Sequence, residues 1–400
     1  MKPKIYITGI GAITAIGNNV AENFISLKEK KSGIGKITLL DTVHKNEIPV
    51  AEVKLSDNEI LAELNLKQED CYTRTALLGI KAAKEAINSA NISEINKYKT
   101  GIISATTGAG MVASEKYYQK FLNTDFANDF IKTHEAADHT EKIAEYLGIK
   151  EFMTTISTAC SSSANAMMLG ARLINNGILD RVIVGGADAH SKFTLNGFNT
   201  LMILDRKPCT PFDNDRKGLN LGEGAAYLVL ESEEIVKKEG KKPLAILSGF
   251  ANANDAYHQT ASSPEGYGAT LAMQKALKVA NLKAENIDYI NVHGTGTANN
   301  DLSEGKAMIN TFGNKVPKFS STKAYTGHTL AAAGSVEAVY SILSFRNKMI
   351  FPTLRFKTPM EEFNLIPETE LIENIDIEHI MSNSFGFGGN GTVVILSKYK

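Results

Sequence analysis

Three side chains stand out as able to carry nucleophilic chemistry: Cys160, His293 and His328. Cys160 falls in Ser157-Thr158-Ala159-Cys160-Ser161-Ser162-Ser163, between the strand-like Phe152 to Ile156 and a helical stretch, Ala164 to Ile174. A thiol at that junction sits at a helix N-terminus, where unpaired N–H groups and the positive end of the dipole favour the thiolate. The expectation is a thiol pKa below its ordinary value. A lone cysteine carries little weight, because most free cysteines are small buried hydrophobes. The two histidines lie in His293-Gly294-Thr295-Gly296-Thr297 and in Lys323-Ala324-Tyr325-Thr326-Gly327-His328-Thr329, each after strand-like residues. Glycine-rich turns interleaved with hydroxyl residues are what a backbone needs when it must approach a ligand closely. A further glycine-rich loop, Asn383-Ser384-Phe385-Gly386-Phe387-Gly388-Gly389-Asn390-Gly391, precedes the last strand-like run. It lacks the Lys-Ser/Thr ending and following helix of a phosphate-binding loop.

The elements that must position these groups are legible in the hydrophobic pattern. Runs Ile5 to Ile10, Gly101 to Ala105, Arg181 to Gly185, Ala225 to Leu230, Leu244 to Phe250, Tyr289 to Val292 and Val393 to Leu396 read as strands. Helical periodicity marks Arg74 to Ala90, Cys160 to Asn175, Gly268 to Ala280 and Gly334 to Arg346. Strands alternating with helices predict an α/β architecture. The stretches Ala164 to Ala171 and Thr329 to Tyr340 are rich in small residues and poor in charge, which predicts helices buried between layers. The charged segment Glu231 to Lys242 reads as a solvated helix joining two halves, 1–240 and 241–400. A short echo, Ser157-Thr158-Ala159-Cys160 against Ser321-Thr322-Lys323-Ala324, suggests that each half contributes one strand-turn-helix to a shared site. The aromatic stretch Met111 to Thr140, with Tyr117, Tyr118, Phe121, Phe126 and Phe130, reads as a cap over an interface or pocket.

Four hundred residues with 43% hydrophobic content can bury a large core. A net charge of -1 gives no basis for nucleic-acid or anionic-membrane binding. Cys71, Cys160 and Cys209 form no paired motif, which fits a reducing compartment and argues against a disulfide framework or structural zinc. Met1-Lys2-Pro3-Lys4 runs directly into Ile5 to Ile10 without a signal-peptide pattern, and no apolar run reaches transmembrane length. The expectation is a cytoplasmic enzyme with no membrane insertion.

Taken together, the cysteine turn, the two histidine motifs and the C-terminal glycine loop resemble the condensing enzymes of the thiolase superfamily, most closely the β-ketoacyl-[acyl carrier protein] synthases. Ile7-Thr8-Gly9-Ile10-Gly11, Pro211-Phe212-Asp213-Asn214-Asp215-Arg216 and Gly222-Glu223-Gly224-Ala225 extend the likeness over nearly the whole chain. The resemblance implies a five-layered α-β-α-β-α sandwich of two related halves, assembled as a homodimer or as a heterodimer with a paralogous subunit. It implies an acyl carrier protein as partner, no bound cofactor or metal, and substrates delivered on phosphopantetheine. Residue by residue it implies Cys160 as nucleophile, and His293 and His328 as neutral donors to the malonyl thioester during decarboxylation. The N–H groups of Cys160 and Phe387 become the oxyanion hole. Lys323, with Asp301 and Glu304, supports the site electrostatically, and Glu337 organises water or an ion. Thr295 and Thr297 contact the pantetheine arm, and Phe387 is a gating aromatic with Phe385 and the loop glycines as its hinge.

Departures from the family pattern are informative. Ser161 and Ser162 follow the nucleophile where housekeeping elongation synthases commonly carry Ala and a small residue. Gly108, in Thr106-Thr107-Gly108-Ala109-Gly110, takes the place of a branched acyl-pocket residue and leaves room for a longer or stiffer chain. Lys67-Gln68-Glu69-Asp70 is less basic than a typical carrier-docking patch. These features, with Tyr72 to Gly79, resemble specialised synthases of polyene or aryl-polyene pigments. A non-catalytic chain-length-factor-like subunit is the alternative; such subunits usually lose the cysteine, which is present here. A thiolase would carry a second cysteine in its C-terminal motif, and none follows Cys209. A Cys-His hydrolase would leave the glycine loop without a role.

Overall fold

A computed structural model describes residues 4–67, 71–124 and 128–399. Ten strands of the described residues form one mixed sheet: β1 (Ile5–Thr14), β2 (Thr100–Ala105), β3 (Phe152–Ile156), β4 (Arg181–Asp188), β5 (Gly224–Ser232), β6 (Ala245–Asn254), β7 (Tyr289–Asn291), β8 (Lys318–Ser320), β9 (His379–Gly386) and β10 (Asn390–Ser397). Their spatial order is β8-β7-β9-β10-β6-β1-β5-β4-β2-β3. Within each run of five, the order from the outer edge is third, second, fourth, fifth, first. The directions repeat as well. β2 pairs parallel with β3 and β4, as β7 does with β8 and β9, and the remaining neighbours in each run are antiparallel. A short antiparallel contact, Tyr6 with Ile246 and Ile7 with Ala245, joins the two runs.

The helices that cover these strands are α1 (Arg74–Ser89), α2 (Ala136–Leu147), α3 (Ser162–Asn175), α4 (Tyr267–Ala280), α5 (Ala298–Phe312) and α6 (Ala333–Asn347). Strand side chains alternate between faces, and on the inner strands both faces are buried, whereas the edge strand β3 leaves Met153 exposed. Ile102, Ile183 and Val229 face α1 and α2, while Ile103, Val182, Val184, Leu228 and Leu230 face the central layer. In the other run Val393 and Ile395 meet α4 and α5, whereas Val394 and Leu396 turn to the centre. Helices α3 and α6 make up that centre, so the expected α-β-α-β-α layering is present. Their small residues have a direct purpose: a Cβ on Gly334 of α6 would come within 3.0 Å of the Ala164 nitrogen in α3.

Some expectations do not survive folding. Glu231 is not solvated: it ends β5 fully buried, bonded to Arg181 and Lys241, and the charged helix spans only Glu233–Lys238. Arg181 lies fifty positions earlier in the chain, so its proximity is a product of the β4–β5 pairing. In the aromatic stretch Tyr117 stacks on Phe130 at 4.2 Å while Tyr118 and Leu122 remain exposed. Phe126 and the Gln68 to Asp70 segment lie outside the described residues. Among the described residues no helix is long and apolar enough to cross a membrane.

Candidate active site

The repeated topology places the chemistry. Strand β3 is the third of its run, and the chain leaves it through Ala159, held at φ +52, before Cys160 and α3. Strand β8 is the third of the other run and leads through Lys323 and His328 into α6. His293 follows β7, and Phe387 follows β9. The contact between α3 and α6 then draws the two ends together. The Cys160 sulfur and a ring nitrogen of each histidine lie within 4.8 Å of one another, all three residues buried. The imidazole centroids are 5.2 Å apart and nearly perpendicular.

Hydrogen bonds fix the histidine tautomers. Lys323 Nζ lies 3.1 Å from His293 Nδ1, and an ammonium can only donate, so that nitrogen accepts and the proton sits on Nε2. His328 Nδ1 accepts from the Leu330 N–H at 3.3 Å, which leaves its proton on Nε2 as well. His328 Nε2 has no protein partner although it is buried. An unmet buried donor is costly. Burial, and then the Lys323 charge, hold both imidazoles well below the usual histidine range, so they are neutral.

The thiol corrects the expectation from sequence. Burial pushes Cys160 up to about 11, against the smaller pull of Lys323 and of the N–H groups of Phe387 and Cys160, which reach the sulfur. Desolvation outweighs the helix N-terminus, and Cys160 rests as a thiol.

Lys323 is buried and spends its three protons on His293 Nδ1, the His293 carbonyl and Glu337 Oε1. Asp301 and Glu304 do not pair with it. Glu304 accepts the N–H groups of His293 and Gly294 and the amide of Asn383, while Asp301 accepts from Phe212, Thr295 and Gly296. Both carboxylates brace the backbone of the His293 loop. Burial raises Glu304 and Glu337 to about 7.

A cavity of about 260 Å³ opens onto the centre, lined among others by Cys160, His293, His328, Thr295, Thr297 and Phe387. Thr295 and Thr297 share a 2.9 Å hydroxyl bond, and Thr297 also caps α5. Phe385 lines the cavity from the end of β9, where it pairs with Gly391. Among the loop glycines, Gly388 and Gly389 supply positive φ, whereas Gly386 permits close approach: a Cβ there would sit 3.0 Å from the Cys160 nitrogen. Gly108 does not line this cavity. Its N–H is bonded to buried Asp188, which also accepts from Thr106, Thr107 and Ala331. Asp188 and Phe198, whose ring stacks on Phe387 at 5.8 Å, were not singled out from sequence. Asp188 did leave a signal, as the one charge in the run Val182 to Ala189.

A duplicated five-layer sandwich in which a thiol from one run of strands meets imidazoles from the other is a thiolase-like condensing arrangement. The chain belongs to the β-ketoacyl synthase family: residues 2–235 match the family's N-terminal domain and 244–357 its C-terminal domain. It is 32% identical over 412 aligned positions to the 3-oxoacyl-[acyl-carrier-protein] synthase 2 of Staphylococcus aureus (strain COL), covering 99% of each chain. Among solved structures it is similar to the ishigamide ketosynthase/chain length factor, with a TM-score of 0.93, 28% identity and 100% of both chains covered. It is also similar to the ketosynthase (ApeO) in complex with its chain length factor (ApeC) from Xenorhabdus doucetiae, with a TM-score of 0.86 and 30% identity over 99% of this chain and 98% of that one.

Proposed function

We propose that the protein extends an acyl chain by two carbons through decarboxylative condensation with a malonyl thioester, both substrates arriving on the phosphopantetheine of an acyl carrier protein. The observation that carries this reading is the convergence of one thiol and two neutral N–H donors in a single buried centre. Cys160 attacks the acyl thioester; its sulfur bonds the acyl carbon, and the carrier thiol departs with the proton. Malonyl-carrier then enters. As the carboxylate leaves as CO₂, the electron pair moves onto the thioester oxygen, where the Nε2–H groups of His293 and His328 meet it without protonating carbon. The enolate carbon attacks the acyl-Cys160 carbonyl, whose oxyanion is held by the N–H groups of Cys160 and Phe387. Collapse breaks the carbon–sulfur bond and expels the Cys160 thiolate, which takes one proton from solvent to restore the thiol.

Lys323 keeps His293 in the donating tautomer and carries the charge that favours the enolate. Thr295 and Thr297 contact the pantetheine arm along the cavity. Gly108, lying beyond the described cavity, leaves room for a longer chain behind the nucleophile: Asp188 ties its loop to Ala331 and lies near enough to Cys160 to act on its acidity. No resident cofactor takes part. The protein works in the cytoplasm, divides near residue 240, and pairs with a second copy or a paralogous subunit, as the structures of ketosynthases with chain length factors suggest. A purely non-catalytic subunit would have no use for the assembled centre. Intact-mass analysis after incubation with a panel of acyl-carrier proteins and malonyl-carrier tests the reading. An acyl adduct on Cys160 that is discharged as a β-ketoacyl product is expected; an adduct elsewhere, or none with any chain, overturns it.

A further inference from the structure

We propose that Ser161 is a two-position latch on the aromatic gate, closing it through Asn390 and releasing it onto Thr158. The residue after the nucleophile is fully buried, and its Oγ lies 2.9 Å from Asn390 Oδ1 and 2.8 Å from the Thr158 carbonyl. One hydroxyl proton thus faces two acceptors. Thr158 Oγ1, 3.2 Å away, can donate to the Ser161 lone pair while accepting from Asn165 Nδ2 at 2.8 Å.

Asn390 closes the loop that carries Phe387. Its backbone pairs with Gly386 across the hairpin and with Asn254 of β6, and between these anchors Gly388 and Gly389 take positive φ. Its Oδ1 also accepts from Asn252 Nδ2 at 2.7 Å and from Asn165 Nδ2 at 3.3 Å. Those donors fix the amide's orientation, because a flipped Asn390 would set its NH₂ against theirs. The Ser161–Asn390 bond is therefore a direct strap from the nucleophile turn to the gate.

The second acceptor makes it a latch. A buried hydroxyl with a single acceptor would resist opening, since parting would leave an unmet donor. Here the proton swings to the Thr158 carbonyl, and Asn390 keeps two other donors. With the strap closed, Phe387 stays stacked on Phe198 and its N–H stays aimed at the sulfur.

The latch rests on the condensing role only for its purpose. Its test needs no turnover: the rate of Cys160 alkylation by iodoacetamide, followed by peptide mass at several pH values between 7 and 9. Loss of one neutral hydrogen bond from the closed state should speed alkylation of Ser161→Ala by roughly three- to tenfold, by the same factor at each pH. Helix capping does not confuse the result, as Ser161 makes no side-chain cap bond. Asn390→Ala should act in the same direction, the double variant should add little, and Ser161→Thr should stay near the parent. Cys209, buried elsewhere, reports general loosening. An unchanged Cys160 rate, acceleration of Cys209 in step, or additive single effects would each overturn the latch. If alkylation responds as expected while no acyl transfer is found, the latch stands and the condensing role falls.

Discussion

Replacing Lys323 by methionine tests the electrostatic design most directly. The ammonium is 2% exposed, pairs with Glu337 and donates twice to His293. Breaking a buried pair by removing one partner costs about 3–5 kcal/mol when the survivor stays charged. Glu337 has a way out, because burial already raises it to about 7 with the lysine pulling it down. Without Lys323 its folded pKa climbs further, and the carboxyl keeps a proton. A carboxyl raised on folding gives stability that is full below its unfolded pKa, here the ordinary 4.5, and lost as pH rises through the folded value. The parent ionises Glu337 near pH 7 and gains its ion pair, whereas the variant must hold the proton. The stability gap should therefore widen above pH 7 by up to about 1.4 kcal/mol per pH unit. Denaturant unfolding of parent and variant at pH 6, 7 and 8 measures it, and Lys323→Met with Glu337→Gln should restore most of the loss. Activity should not return with stability, because His293 is free to place its proton on Nδ1 and the enolate has lost a nearby cation. A lost oxyanion-type donor costs about 10²–10³ in rate, so malonyl decarboxylation should fall by that order in both variants. A gap independent of pH, or recovery of decarboxylation in the double variant, would refute the reasoning.

The remaining expectations are simpler. Cys160→Ala should abolish the acyl adduct seen by intact mass, while Cys71→Ala and Cys209→Ala retain it. His293→Ala or His328→Ala should slow release of CO₂ from malonyl-carrier by about 10²–10³ and leave self-acylation of Cys160 much less affected, with both followed on one preparation. Gly108→Ile should shorten the longest acyl chain transferred to Cys160 from a carrier series. His139 is buried and held at about 4 by desolvation, its Nε2 facing Ser104. A basic group lowered from 6.5 to about 4 contributes about 3 kcal/mol that is present above pH 6.5 and lost as pH falls through 4. Unfolding of His139→Gln should accordingly show a shallower acid slope than the parent over that window.

Residue types and local spacing were enough to single out Cys160, His293, His328 and Phe387, which the fold gathers around one cavity. Cys160, His293 and Phe387 each sit shortly after a strand gives way to a small-residue turn, and such junctions leave a local signature, whereas His328 follows the short helix Lys323–Thr326. What escaped depends on residues far apart in the chain. The thiol's acidity was misjudged because the helix N-terminus is visible in sequence and the desolvation by both halves is not. Lys323 was grouped with Asp301 and Glu304 without an ion-pair partner being named; that partner is Glu337, since only the packing of α6 behind β8 decides which carboxylate it meets. Glu231 was read as solvated because its counter-ion Arg181 is brought there by strand pairing. The alternation Ile102/Ile103 and Val393/Val394 is plain in the fold but silent in sequence, as strands covered on both sides show no polar face.

The close approach of Gly334 to Ala164 has a reach beyond its size. It involves no titratable group and touches no cavity, yet it is the fulcrum on which the thiol-bearing and imidazole-bearing arms are balanced. A single added methyl there would act as a shim, prising apart reacting atoms whose own residues were untouched. Reactivity in this protein is thus partly a matter of carpentry, set by how thin two helices can be made where they cross.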